Sequence, residues 1–167
     1  MRTGPSEAAT LERAVSLASE TMRSLEMQKR RLRSEEPEDT EWLFRWWADL
    51  QFFIVTLRRL RRVAELVRQV PSVQAGITKA TAVFDFALPM LQKMRNVGEH
   101  IDDYALDRGR NQVVTRGMLQ VGTWNGETYQ WLDESLNVTD AHNAAVQLYS
   151  AIRKTLEDYP NRSSMVG

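Results

Sequence analysis

Arg95, Asn96 and His100 stand close together in the segment MRNVGEH, positions 94–100. Residues of these types can break a phosphodiester of RNA without a metal. An imidazole titrates near neutrality, so His100 can take a proton from a ribose 2′-hydroxyl or return one to a leaving oxygen. A guanidinium such as that of Arg95 can hold the scissile phosphate and offset charge that builds up in the transition state. Asn96 would fix an imidazole tautomer or a phosphate oxygen, and Tyr104 would donate a hydrogen bond. On a straight helix Asn96, His100 and Tyr104 fall at i, i+4 and i+8 on one face. Arg95 lies about 140° from His100 by the helical period and reaches the same cleft through its long side chain. Lys93, Arg108 and Arg110 bracket the histidine and are expected to contact RNA phosphates. Gly98 costs about 1 kcal/mol in a helix interior relative to alanine, which points to close approach of another backbone or of a substrate. A plainer reading also fits: Arg95 and Glu99 at i and i+4 form a surface ion pair, and His100 pairs locally with Asp103 or Tyr104.

The elements that must position these residues are mainly helical. Ser6 is an N-cap candidate, followed by Leu11, Ala14, Val15, Ala18, Met22 and Leu25 at helical spacing, with Pro37 as a stop. A second helix is expected from near Asp39 or Thr40 to Pro71, with one apolar face from Leu43 to Leu66. Ser72 would cap a third segment, kinked or restarted at Pro89, which carries MRNVGEHIDDYAL and stops near Gly109. Composition then turns to Val, Thr, Tyr and Trp. Asn125-Gly126 signals a two-residue turn, so residues 118–124 and 127–133 are expected to form a β-hairpin. Thr139 or Asp140 opens a last helix, and residues 160–167 read as a flexible tail. The expectation is one domain spanning 1–167, all-α in the main, with an up-and-down helical core over about 6–158 and a hairpin before the last helix.

Bulk properties narrow the function classes. The chain has 167 residues, 43% apolar and 26% charged, with a formal net charge of zero. That length suits a single core, and neutrality removes any global pull toward nucleic acid or acidic membranes, so RNA binding must be local. The absence of cysteine excludes disulfides, a thiolate nucleophile and Cys-based metal centres. Two histidines make an all-His metal site implausible within one chain. No cofactor and no metal are therefore expected. The N-terminus lacks the apolar core of a signal peptide, and the stretch around WLFRWWADLQFFIVTL is interrupted by Arg45 and Asp49. A cytoplasmic protein without a membrane partner is expected.

Three further clusters compete for attention. Trp42, Phe44, Trp46, Trp47, Phe52 and Phe53 suit a core or a dimer interface better than a base-stacking surface, because stacking platforms stand on exposed sheets or loops. Arg58, Arg59, Arg61 and Arg62 read as a solvated helix face or, less readily, an RNA-facing stripe. His142, in the first turn of the last helix, reads as surface, since the helix N-terminus disfavours an imidazolium and nothing adjacent in sequence pairs with it.

The segment RNVGEH resembles the Arg–polar–x3–His signature, R-x4-6-H, of the HEPN superfamily, in the form where asparagine follows the arginine. The motif also falls near the end of the third long helix, where a small HEPN bundle carries it. The resemblance covers residues 6–158, with the hairpin as an insertion. It implies a homodimer whose motifs face one another across a cleft. It also implies metal-independent endoribonuclease activity, a hydrolase class often found in toxin–antitoxin or stress and defence systems. By that carry-over Arg95 and His100 are the catalytic pair and Asn96 the supporting polar residue. Glu99 and Tyr104 are supporting neighbours, and an antitoxin protein is a further partner to expect. One toxin branch continues His–x–Tyr, whereas here the tyrosine is Tyr104, so that branch's modification target is not carried over. Some members are non-catalytic, which leaves an alternative: an inactive helical dimer serving as a protein- or nucleotide-binding module.

Overall fold

Apolar residues at helical spacing make four long helices here, and a short sheet closes one end. The computed structural model describes residues 4–35 and 45–163. The helices are α1 (Glu7–Arg33), α2 (Arg45–Val67), α3 (Gln74–Ala87), α4 (Leu91–Glu99), the single turn α5 (Ile101–Ala105) and α6 (Val138–Ser163). A 3₁₀ turn (Arg116–Leu119) precedes strands β1 (Thr123–Trp124), β2 (Thr128–Trp131) and β3 (Glu134–Asn137). The fold is mainly helical, as the periodicity predicts. Trp42, Leu43, Phe44 and the expected start of the second helix near Asp39 or Thr40 lie outside the described residues, as do residues 164–167.

Ser6 caps α1 as expected, its Oγ accepting from the Ala9 N–H at 3.2 Å. Leu11, Ala14, Ala18, Leu25 and Leu32 then face α2 and α6, and all are buried. From α2, Leu50, Phe53, Ile54, Leu57, Leu60 and Ala64 are fully buried, and α6 adds Ala145, Leu148 and Ile152. Burying side chains of this size stabilises by roughly 1.5–3 kcal/mol each, so these three helices supply most of the core. A buried acid ties α1 to α2: Asp49 accepts from Arg31 Nε at 2.9 Å and from Arg45 Nη1 at 3.4 Å.

Several boundaries move. The second helix stops at Val67, before Pro71. Val73 rather than Ser72 stands at the N-cap of α3, with no side-chain cap. The break expected at Pro89 falls at Leu88–Met90, where the proline opens the turn that leads into α4. Asn137 Oδ1 caps α6 by accepting from the Asp140 N–H at 3.0 Å, so the helix begins at Val138 rather than at Thr139 or Asp140. It runs to Ser163, into the segment read as a tail.

The hairpin is a three-stranded antiparallel sheet in the order β1-β2-β3. Trp124 pairs with Tyr129, so the first turn spans residues 125–128 rather than Asn125-Gly126 alone. Asn125 Oδ1 accepts from the N–H groups of Glu127 (3.0 Å) and Thr128 (2.7 Å) and builds that turn. The second turn is Leu132-Asp133, between paired Trp131 and Glu134, with φ of 58° and 59°. Both residues take the left-handed conformation of a type I′ turn without a glycine, so no local turn signal announces β3. The sheet packs on α2 through an edge-to-face contact of Trp46 with Tyr129, centroids 6.2 Å apart, and Trp131 stacks on Tyr129 at 6.0 Å. The aromatic cluster therefore divides. Phe53 is core, Trp46 and Trp47 are half-buried against it, and Phe52 is 63% exposed.

Candidate active site

α4 lies on α2 with Leu91, Met94 and Val97 buried, which turns the polar residues between them outward. Gly98 makes that approach possible. A Cβ there would sit 2.8 Å from Gln51 Oε1 and 3.8 Å from the Trp131 ring. The close neighbour within the chain is thus a side chain of α2 rather than a backbone. Gln51 in turn donates to the Tyr129 hydroxyl at 3.4 Å, which itself donates to the Val121 carbonyl at 2.9 Å. Burial pushes the Tyr129 phenol well above its ordinary value, so it stays protonated as a donor.

The helix breaks at His100, whose backbone (φ −121°, ψ 35°) ends α4 and begins α5. Hydrogen bonds still span the break: His100 N–H to the Asn96 carbonyl (3.1 Å) and Tyr104 N–H to the His100 carbonyl (3.2 Å). Asn96, His100 and Tyr104 therefore share a face despite the interruption. After α5 the chain doubles back. Arg108 N–H bonds the Asp103 carbonyl at 2.8 Å, and Asn111 N–H bonds the Tyr104 hydroxyl at 3.3 Å. Gly109 packs on the Tyr104 ring so tightly that a Cβ would lie 2.1 Å from a ring carbon.

This return closes a cavity of about 300 Å³ walled by Arg95, Asn96, His100, Asp103, Tyr104, Arg108, Gly109 and Arg110. Six residues singled out from the sequence, Arg95, Asn96, His100, Tyr104, Arg108 and Arg110, are thus brought together. Asp103 and Gly109 complete the wall, and no motif signalled Gly109's role.

Partners differ sharply around the cavity. The His100 ring is exposed and makes no hydrogen bond among the described residues, so the local pairs expected with Asp103 or Tyr104 do not form. Arg108 and Arg110 are exposed and have no ion-pair partner among the described residues. Arg95 is held from two sides: Nη1 donates to Asn96 Oδ1 at 3.0 Å, and Nη2 pairs with Glu99. Asn96 therefore orients the arginine rather than an imidazole tautomer, and its amide N–H₂ remains available to a ligand. Glu99 stands outside the cavity wall and touches the site only through Arg95.

Lys93 goes elsewhere. Its Nζ donates to the Leu132 carbonyl at 2.8 Å and pairs with Glu134 at 3.0 Å, fastening α4 to the strained β2–β3 turn. Lys93, expected to contact RNA, is thus engaged as a structural clamp and stands outside the cavity wall. His142 also departs from expectation: it is buried, 6% exposed, not on the surface. Nδ1 lies 3.2 Å from Lys29 Nζ and Nε2 lies 2.5 Å from Glu26 Oε1. An ammonium only donates and a carboxylate only accepts, so this ring is neutral with its proton on Nε2. Both partners come from α1, out of reach of any local reading.

Among the described residues no group of three or more His, Asp or Glu side chains is placed to hold a metal ion. Nor is any described helix long and apolar enough to cross a membrane. Compared with known proteins, the chain matches no family model, no curated relative and no solved structure.

Proposed function

We propose that the protein is a HEPN-like, metal-independent endoribonuclease acting on single-stranded RNA as a homodimer in the cytoplasm. The observation that carries this reading is the convergence of three arginines from two segments, Arg95, Arg108 and Arg110, on one cavity with a histidine whose ring has no partner among the described residues. Arg108 and Arg110, without ion-pair partners among the described residues, join Arg95 to suit a phosphodiester, and an exposed imidazole suits proton transfer. His100 takes the proton of the 2′-hydroxyl, and the 2′-oxygen attacks the adjacent phosphorus. The bond from phosphorus to the 5′-oxygen breaks, and that oxygen takes a proton from water as it leaves, while His100 later returns its own to solvent. The products are a 2′,3′-cyclic phosphate and a 5′-hydroxyl. Arg95, oriented by Asn96, holds the non-bridging oxygens as charge accumulates on them. Arg108 and Arg110 hold flanking backbone. A role as a toxin or stress effector, restrained by an antitoxin protein, belongs to the same reading.

A second reading is a catalytically silent helical dimer that binds a protein or nucleotide. One observation favours it: Arg95 is already engaged by Glu99 and Asn96. Cleavage of a mixed RNA pool in excess EDTA, wild type beside His100→Ala, separates the two. Cleavage by wild type alone supports the nuclease. Equal cleavage by both, or none by either, removes it.

A further inference from the structure

The basic run on α2 does not form one face. Arg59 and Arg62 turn to the groove between α1 and α2, where they border a cavity of about 550 Å³. Arg58 and Arg61 turn the other way, into a cavity of about 330 Å³ where α2 meets Leu88–Pro89 and the first turn of α4. Arg61 is fully matched there. It grips both oxygens of Asp85, at 3.1 and 2.8 Å, and pairs with Glu65. Arg58 is not matched. Its Nε is buried without a hydrogen-bond partner, and the side chain makes no ion pair among the described residues. Arg61, Arg62 and Arg95 all repel it, and only Asp85, already occupied by Arg61, attracts it; after burial itself, these charges hold its pKa below the ordinary arginine value. A half-buried cation facing other cations is costly to the folded chain and calls for an anion.

The position of this cavity says which anion. Leu91 and Gln92 line it, and Arg95 and Asn96, one turn later on α4, line the candidate active site. The two cavities therefore border successive stretches of one helix, Leu91–Gln92 and Arg95–Asn96, with a rise of about 6 Å between those stretches at about 1.5 Å per residue. That is the scale of one step along an RNA backbone. We propose that Arg58 seats the backbone phosphate next to the scissile one, with Arg95 at the junction of the two sites. This inference rests on the nuclease reading and assigns that site an extended single-stranded substrate rather than a mononucleotide.

The test is fluorescence anisotropy on the full chain with 2′-O-methyl RNA, which cannot be cleaved. Two ligands are compared, a dinucleotide with one internucleotide phosphate and a pentanucleotide with several. Arg58→Gln should weaken pentanucleotide binding about tenfold, as for one charge-assisted contact. It should also reduce the salt slope by about 0.7, the value for one phosphate contact on a single strand. Dinucleotide binding should not change, and the thermal midpoint without RNA should hold or rise, since an unmatched cation has been removed. Arg58→Lys should recover part of the loss, and Arg62→Gln, in the opposite groove, should leave pentanucleotide binding within about twofold of wild type. A pentanucleotide affinity unchanged in Arg58→Gln overturns the second phosphate site. So does an equal loss for both ligands with a lowered midpoint, which marks a structural residue. If wild type cleaves RNA and Arg58→Gln binds like it, only the second phosphate site falls. If wild type binds neither ligand, the nuclease reading falls and takes this inference with it.

Discussion

The two histidines make opposite use of the same side chain. His142 is enclosed by α1 and α6, with one ring nitrogen receiving Lys29 and the other donating to Glu26. Its proton is fixed by partners that cannot exchange roles. His100 stands at a helix break on the rim of a cavity, its ring exposed and without a partner among the described residues. A ring satisfied at both nitrogens holds elements together, whereas a ring left open beside arginines is available to a substrate proton. The residue type alone distinguishes neither.

The comparison breaks first at His100. His100→Ala should lower RNA cleavage by about 10²–10⁴-fold, the usual worth of a general acid or base. Its stability should stay within about 0.5 kcal/mol, as for an exposed residue without partners. Comparable cleavage by the variant would assign the chemistry elsewhere.

Next in size is Gly109→Ala, where the new Cβ meets the Tyr104 ring. The loop carrying Arg108 and Arg110 must shift, at about 1–3 kcal/mol. Cleavage should drop about tenfold, because those two charge-assisted contacts are misplaced. Thermal melts read the first effect and initial rates the second; unchanged rates would show that the returning loop does not serve the site.

His142→Ala should cost about 1–2 kcal/mol, measured by urea unfolding, since Lys29 and Glu26 lose their partner but keep access to water. RNA cleavage should be untouched, and a loss of activity larger than that of stability would dissolve the contrast. The smallest effect is expected of Glu99→Gln. Removing the Arg95 ion pair leaves the guanidinium held by Asn96 alone and should raise RNA affinity a few-fold, in keeping with the modest worth of a partly exposed pair. Weaker binding would mean that Glu99 aims Arg95 rather than masks it.

Legibility in the sequence follows the range of the interactions. The helices could be read because each buried stripe repeats within its own turn, as from Leu11 to Leu25. Ser6 and Pro89 punctuate them by strictly local chemistry. Asn96, His100 and Tyr104 share a face for the same reason. The third strand was hidden, because Leu132 and Asp133 adopt positive φ without the glycine that usually announces it. Lys93 clamps that turn through the Leu132 carbonyl, a contact across 39 residues.

The sequence by itself determined that helices dominate, where the third one is interrupted, and which arginine, asparagine and histidine fall within one stretch of chain. Those are consequences of period and of local backbone preference. Only the tertiary structure decided that Arg108 and Arg110 return to that stretch, through a glycine pressed on Tyr104. It alone divided the basic run of α2 between two cavities, freed His100 and enclosed His142. Each outcome depends on which distant surface packs against a side chain, and burial of that kind is set by the whole core rather than by neighbours in sequence.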